Sequence, residues 1–130
     1  MEGNLYMYKN QVELETIKTV ALKEGFNESQ IKTALNALDK STLVIVLKEN
    51  ELFDIVETKN NEIIHTDVKI NLVMEICHDC LRTELETYLR QDSVDLEYAN
   101  NTLEKLNDMF ENTNYVIKSV NESSYLALNI

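Results

Sequence analysis

The sequence predicts an α+β protein, mainly helical: two helices around a tight turn plus a hairpin, followed by two further helices and a C-terminal hairpin. Three observations predict it. Apolar residues recur at helical spacing in four windows; each pair of windows is followed by two short β-prone runs separated by polar residues. Of the 130 residues, 44% are hydrophobic, enough for one ordinary core, or for two small subdomains sharing one, and too apolar for a disordered chain. The order of elements occurs twice, at 12–57 and 67–130, as a repeat of pattern with low identity.

Residues 1–11 carry Leu5, Tyr6, Met7 and Tyr8, enough apolar surface for a short strand or a lead-in turn. From residue 12 to 24, Leu14, Ile17 and Ala21 mark a first helix, Val20 widens its stripe, and Gly25 supplies a left-handed C-terminal cap. Asn27 with Gln30 three residues on reads as an N-cap, and Ile31, Ala34, Leu35 and Leu38 follow the helical template over 28–39. The runs 43–47 and 52–56 then flank Lys48-Glu49-Asn50-Glu51 as a hairpin.

The polar cluster 58–62 is the expected seam between an N-terminal half, 1–62, and a C-terminal half, 63–130, which together form one compact unit. Past Ile63 and Ile64, the residues Ile70, Val73, Met74, Cys77, Leu81, Leu85 and Tyr88 space a long helix ending near Arg90. Gln91-Asp92-Ser93 forms a turn with a candidate cap, and Leu96, Ala99, Leu103, Leu106 and Phe110 space a fourth helix. The β-prone residues 115–117 and 125–128 around polar 121–124 close the chain with the second hairpin.

Charge narrows the class of partner. Acidic residues number 23 against 12 basic, a formal net charge of -11, so the chain repels polyanions and anionic membrane surfaces and favours cationic ones. No basic stretch precedes an apolar run at the N-terminus and no apolar run reaches spanning length, so a cytoplasmic protein without membrane association is expected. The absence of proline and tryptophan beside 15 asparagines is the usage expected of an AT-rich bacterial or phage genome.

The two cysteines, Cys77 and Cys80, sit inside the third helix, which excludes a disulfide framework and leaves reduced thiols. With His65 and His78 they have the residue types of a zinc site, but one Cys-x-x-Cys and two irregularly placed histidines make weak candidates, and Cys77 falls on the apolar stripe. No cofactor is expected. Neither histidine comes with a nucleophile, and only Gly3 and Gly25 are available to build a phosphate-cradling loop, so no enzymatic activity is expected.

Residues 14–57 resemble the winged-helix form of the helix-turn-helix superfamily: 21–27 look like its first helix and turn, 31–38 like its second helix, and 43–56 like its wing. The stretch 67–130 resembles a degenerate second copy. The resemblance implies that the outward residues Ser29, Lys32, Thr33 and Asn36, with Lys40, contact DNA from helix 28–40. Residues 16–48 hold five lysines against three acids, a balance of +2, and everything outside them sums to -13. Both arginines, Arg82 and Arg90, fall in the third helix rather than on this surface.

The acid concentrates instead along the third and fourth helices. Glu84, Glu86, Asp92, Asp95, Glu97, Glu104 and Asp108 form a candidate face for a protein partner whose own surface is basic, and -11 exceeds the roughly 2–8 units that keep a small domain in solution. The leading expectation is a non-enzymatic acidic inhibitor or regulator of a nucleic-acid-handling protein, of phage or mobile-element type, acting by nucleic-acid mimicry or against host defence. The alternative is a dimeric winged-helix DNA-binding transcriptional regulator, with the third or fourth helix as the dimer seam.

Overall fold

The computed structural model describes residues 11–111, 113–121 and 123–128, with side chains from Leu14 onward; Leu5, Tyr6, Met7 and Tyr8 lie outside the described residues. The elements are α1 (Gln11–Lys23), α2 (Glu28–Lys40), β1 (Leu43–Leu47), a single 3-10 turn (Glu49–Glu51), β2 (Phe53–Glu57), β3 (Glu62–Val68), α3 (Ile70–Leu89), α4 (Leu96–Asp108), β4 (Tyr115–Val120) and β5 (Ser123–Leu128). The order is the expected one, helix pair with hairpin and again helix pair with hairpin, enlarged by β3. The chain divides into two compact units, 1–77 and 78–130, and α3 contributes residues to both.

In the first unit, the α1–α2 turn follows from one glycine and one amide pair. Gly25 has φ +104°, where a side chain would be strained, and Phe26 N–H donates to Ala21 O (3.1 Å) while Gly25 N–H donates to Leu22 O (3.1 Å). This is the Schellman closure, which satisfies carbonyls that the helix end would otherwise orphan. Two residues on, Asn27 Oδ1 accepts from Gln30 N–H and Gln30 Oε1 accepts from Asn27 N–H, each at 2.8 Å, the reciprocal capping box read from the sequence. Ile31, Ala34, Ala37 and Leu38 are buried, as are Ile17, Val20 and Ala21 on α1.

Leu35, expected on the buried stripe, is only half-buried, and Ala37 takes the interior place beside Leu38. A groove of about 370 Å³ between the two helices is lined by Leu14 and Leu35, both half-buried, with buried Ile31 beneath them.

The three-stranded sheet has the antiparallel order β1-β2-β3. β2 is central, and Phe53, Asp54, Ile55 and Val56 are all buried, so it reads as a continuous apolar run around a single acid. The polar cluster 58–62, expected as a seam, turns β2 into β3 inside the first unit. Asn60 Oδ1 accepts from Glu62 N–H (3.1 Å), and Asn61 has φ 55°. β3 was not expected because Ile63 and Ile64 are adjacent rather than alternating and every residue from Glu62 to Asp67 is exposed, leaving no period-two signal.

Asp54 pins this irregular strand. Its Oδ1 accepts from Thr66 Oγ1 (2.9 Å) and from Asp67 N–H (3.0 Å), and Lys48 Nζ stands 3.4 Å from it and 2.8 Å from Asp67 Oδ1. Asp67 has φ 52°, and the β2–β3 register shifts on both sides of Ile55. The carboxylate takes up the bulged backbone's free donor.

In the second unit, Leu81, Leu85 and Leu89 of α3 are buried, as are Ala99, Thr102 and Leu106 of α4 and Met109 beyond it. The expected cap near Asp92-Ser93 lies further on. Asp95 caps α4, its Oδ1 accepting from Glu97 N–H (3.0 Å) and Tyr98 N–H (3.4 Å). β4 and β5 pair from Tyr115↔Leu128 to Val120↔Ser123 without a bulge. Asn107 ties α4 to this hairpin: its Nδ2 donates to Tyr115 O (3.0 Å) and its Oδ1 accepts from Tyr115 N–H (2.7 Å).

Candidate interaction faces

On α4 the buried residues Ala99, Thr102 and Leu106 leave the opposite side to solvent, and Glu97, Asn101, Glu104 and Asp108 all lie there, exposed. At 3.6 residues per turn these four fall within an arc of roughly 60°, and Glu97 to Asp108 runs roughly 16 Å along the axis. Among the described residues neither the Glu97 nor the Glu104 carboxylate has an ion-pair partner. Residues 78–130 hold ten acids and four bases, a balance of -6.

The other acids proposed for this face are not equivalent. Asp95 spends its carboxylate on the α4 cap. Glu86 is half-buried, and Arg82 Nη1 donates to its Oε1 (3.2 Å), while Arg82 Nη2 stands 3.7 Å from Asp79. Glu84 is half-buried on α3, and Asp92 is exposed in the turn between the helices. The acidic surface therefore narrows to the α4 strip with Asp92.

Two large apolar side chains stand exposed at the start of α4: Leu96 (51%) and Tyr98 (42%). The Tyr98 ring meets the Tyr88 ring edge-on, centroids 4.8 Å apart at 67°. The Tyr88 hydroxyl accepts from Asp95 N–H at 2.8 Å, which ties this aromatic pair to the cap.

In the first unit Ser29, Lys32, Asn36 and Lys40 of α2 are exposed and Thr33 is half-buried. Lys32 and Asn36 line the α1–α2 groove, together with Glu15, Lys18 and Glu28. Of the five lysines that give 16–48 its positive balance, three are drawn into pairs: Lys18 with Glu28 (3.9 Å), Lys23 with Glu51, and Lys48 with Asp54 and Asp67. The hydrogen bond from Lys48 to Asp67 is the largest cause of a raised Lys48 pKa, opposed by partial desolvation. The turn between β1 and β2 is Glu49-Asn50-Glu51, all exposed.

Cys77 is buried on the α3 stripe and Cys80 is half-buried. His65 is exposed on β3, whereas His78 is buried on α3 with Nε2 3.0 Å from Leu106 O and its ring edge-on to Phe110 (5.0 Å). Burial holds the His78 pKa below its ordinary value, against the opposing pull of the Leu106 carbonyl and Asp79. Among the described residues no group of three or more His, Cys, Asp or Glu side chains is placed to hold a metal ion. Nor is any helix among them long and apolar enough to cross a membrane.

No protein-family model, curated protein or solved structure matches this chain.

Proposed function

We propose that this protein is a non-enzymatic acidic interaction protein that binds a basic surface on a nucleic-acid-handling protein, as an inhibitor or regulator of the kind carried by phages and mobile elements. The observation that carries the reading is the α4 strip: Glu97, Glu104 and Asp108 project from one exposed face, and neither glutamate has an ion-pair partner among the described residues. Arranged like charges of this kind attract a complementary partner at long range and repel nucleic acid.

DNA binding through Ser29, Lys32, Thr33, Asn36 and Lys40 draws less support. Phosphate neutralisation supplies most non-specific affinity for DNA, and Lys18, Lys23 and Lys48 are already paired with acids, beside a β1–β2 turn that carries Glu49 and Glu51.

Immobilised protein is exposed to lysate of the source cell, and bound proteins are identified for the wild type and for Glu97→Lys/Glu104→Lys. A basic nucleic-acid-binding protein is retained by the wild type, is displaced by duplex DNA or about 0.5 M salt, and is weakened about ten-fold or more by the double reversal. Retention unchanged by charge reversal would remove this reading.

A further inference from the structure

We infer that β5 is the seam of a homodimer, pairing antiparallel with β5 of a second copy about a two-fold axis at Leu126 to give one four-stranded sheet. The inference stands apart from the acidic-face reading, because no residue of the α4 strip takes part.

The hairpin has two outer edges, and only one of them is guarded. Asn107 takes both the N–H and the C=O of Tyr115, so those groups face away from β5 and Tyr115↔Leu128 is a non-hydrogen-bonded pair. Such pairs alternate along antiparallel strands, which turns the backbone groups of Ser124, Leu126 and Leu128 outward on β5. Among the described residues none of these groups has a hydrogen-bond partner. Besides the Asn107 clamp, β4 carries Lys118, a charge of the kind that keeps edge strands from pairing further, whereas Ser123–Leu128 holds no charge at all.

The occupant follows from the strand itself. In a chain of net charge -11 a second copy is repelled wherever acids meet, and β5 is an acid-free strip. Centred on Leu126, the strand is complementary to itself: Leu126 meets its own counterpart and Ser124 meets Leu128, each pair exchanging both N–H···O bonds. Tyr125, 45% exposed, then stands opposite Ala127 of the second copy in a non-hydrogen-bonded pair, where side chains approach most closely, so a large ring meets a small residue. Leu128, 50% exposed, is covered opposite Ser124. A two-stranded sheet is marginal in water, and pairing widens it. The two-fold also closes the assembly, since the new sheet ends on two β4 edges obstructed by Asn107 and Lys118.

Sedimentation equilibrium of the full chain, from micromolar to near-millimolar protein and at low and high salt, tests this. Expected is a monomer–dimer equilibrium that tightens as salt screens the like charges, with nothing larger than two chains. Tyr125→Lys, at an exposed position, weakens the dimer about ten-fold or more because a charge enters the seam. Adding Ala127→Glu restores it, since each lysine then faces a glutamate of the other copy; circular dichroism verifies each fold. A wild type that stays monomeric throughout overturns the inference. So does a dimer indifferent to Tyr125→Lys, a double variant as weak as the single one, or assembly that grows past two chains.

Discussion

Replacing Asp54 probes how the first unit holds its edge strand. Asp54 is 8% exposed, and its carboxylate accepts from Thr66 Oγ1 at 2.9 Å and from Asp67 N–H at 3.0 Å, with Lys48 at 3.4 Å. Hydrogen bonds to a charged group contribute about 1.5–3 kcal/mol each. The low end applies because Thr66 and Asp67 are exposed and can rehydrate once the acid is gone. The Lys48 contact adds under about 1 kcal/mol, since the ammonium keeps Asp67.

Asp54→Ala should therefore cost about 2–3 kcal/mol, and Asp54→Asn, which retains an acceptor oxygen, about 1 kcal/mol. Urea unfolding followed by circular dichroism reads this as a midpoint lowered by about 1–1.5 M for alanine at an m-value near 2 kcal/mol/M. Amide hydrogen exchange in β3 should accelerate in parallel. Burial pushes the Asp54 pKa up, but the Asp67 N–H, Thr66 and Lys48 outweigh it and hold the carboxyl below its ordinary value. Its contribution is thus complete above about pH 4 and is lost as pH falls through the lower folded value. Midpoints equal to wild type, or a gap between wild type and Asp54→Asn that persists well below pH 4, would refute the reasoning.

Other outcomes follow from the same contacts. Asn27→Ala breaks both halves of the capping box and should lower stability by about 1 kcal/mol, read as a reduced urea midpoint, with Asn27→Asp close to wild type. His78 titrates lower in the folded chain than in the unfolded one, so stability is full above about pH 6.5 and declines as pH falls below it; a Tm series from pH 7.5 to 5 should show the decline, and His78→Gln should remove it. Lys32→Glu should leave gel-shift behaviour of genomic DNA fragments unchanged, because no shift is expected of the wild type at micromolar protein; a wild-type shift abolished by this substitution would instead support the DNA reading.

Most of the fold was legible because local rules and burial agree. The Gly25 turn, the Asn27–Gln30 box and the Ile31–Leu38 stripe each state their structure within a few residues, and both expected hairpins formed around their polar runs. What stayed hidden depends on contacts distant in sequence. β3 has no alternation of its own and is held by Asp54 of the preceding strand, and Asp95, not Asp92 or Ser93, became the α4 cap.

The candidate face was legible as a list of acids but not as a surface. Helical spacing places Glu97, Glu104 and Asp108 together, whereas only folding makes Asp95 a cap, pairs Glu86 with Arg82, and braces Tyr98 against Tyr88. The balance of +2 over 16–48 was similarly misleading as a measure of available charge, since pairing withdraws Lys18, Lys23 and Lys48.

The Tyr88–Tyr98 pair also makes the molecule its own reporter. The chain has no tryptophan, and apart from Tyr6 and Tyr8 its tyrosines, Tyr88, Tyr98, Tyr115 and Tyr125, all belong to the second compact unit. With Tyr6 and Tyr8 replaced by phenylalanine, tyrosine dichroism and emission watch that unit, while far-ultraviolet dichroism watches the helices of both. Coincident melting curves from the two signals would mean that the units unfold as one cooperative body, and a split would let each be followed separately without attaching a label.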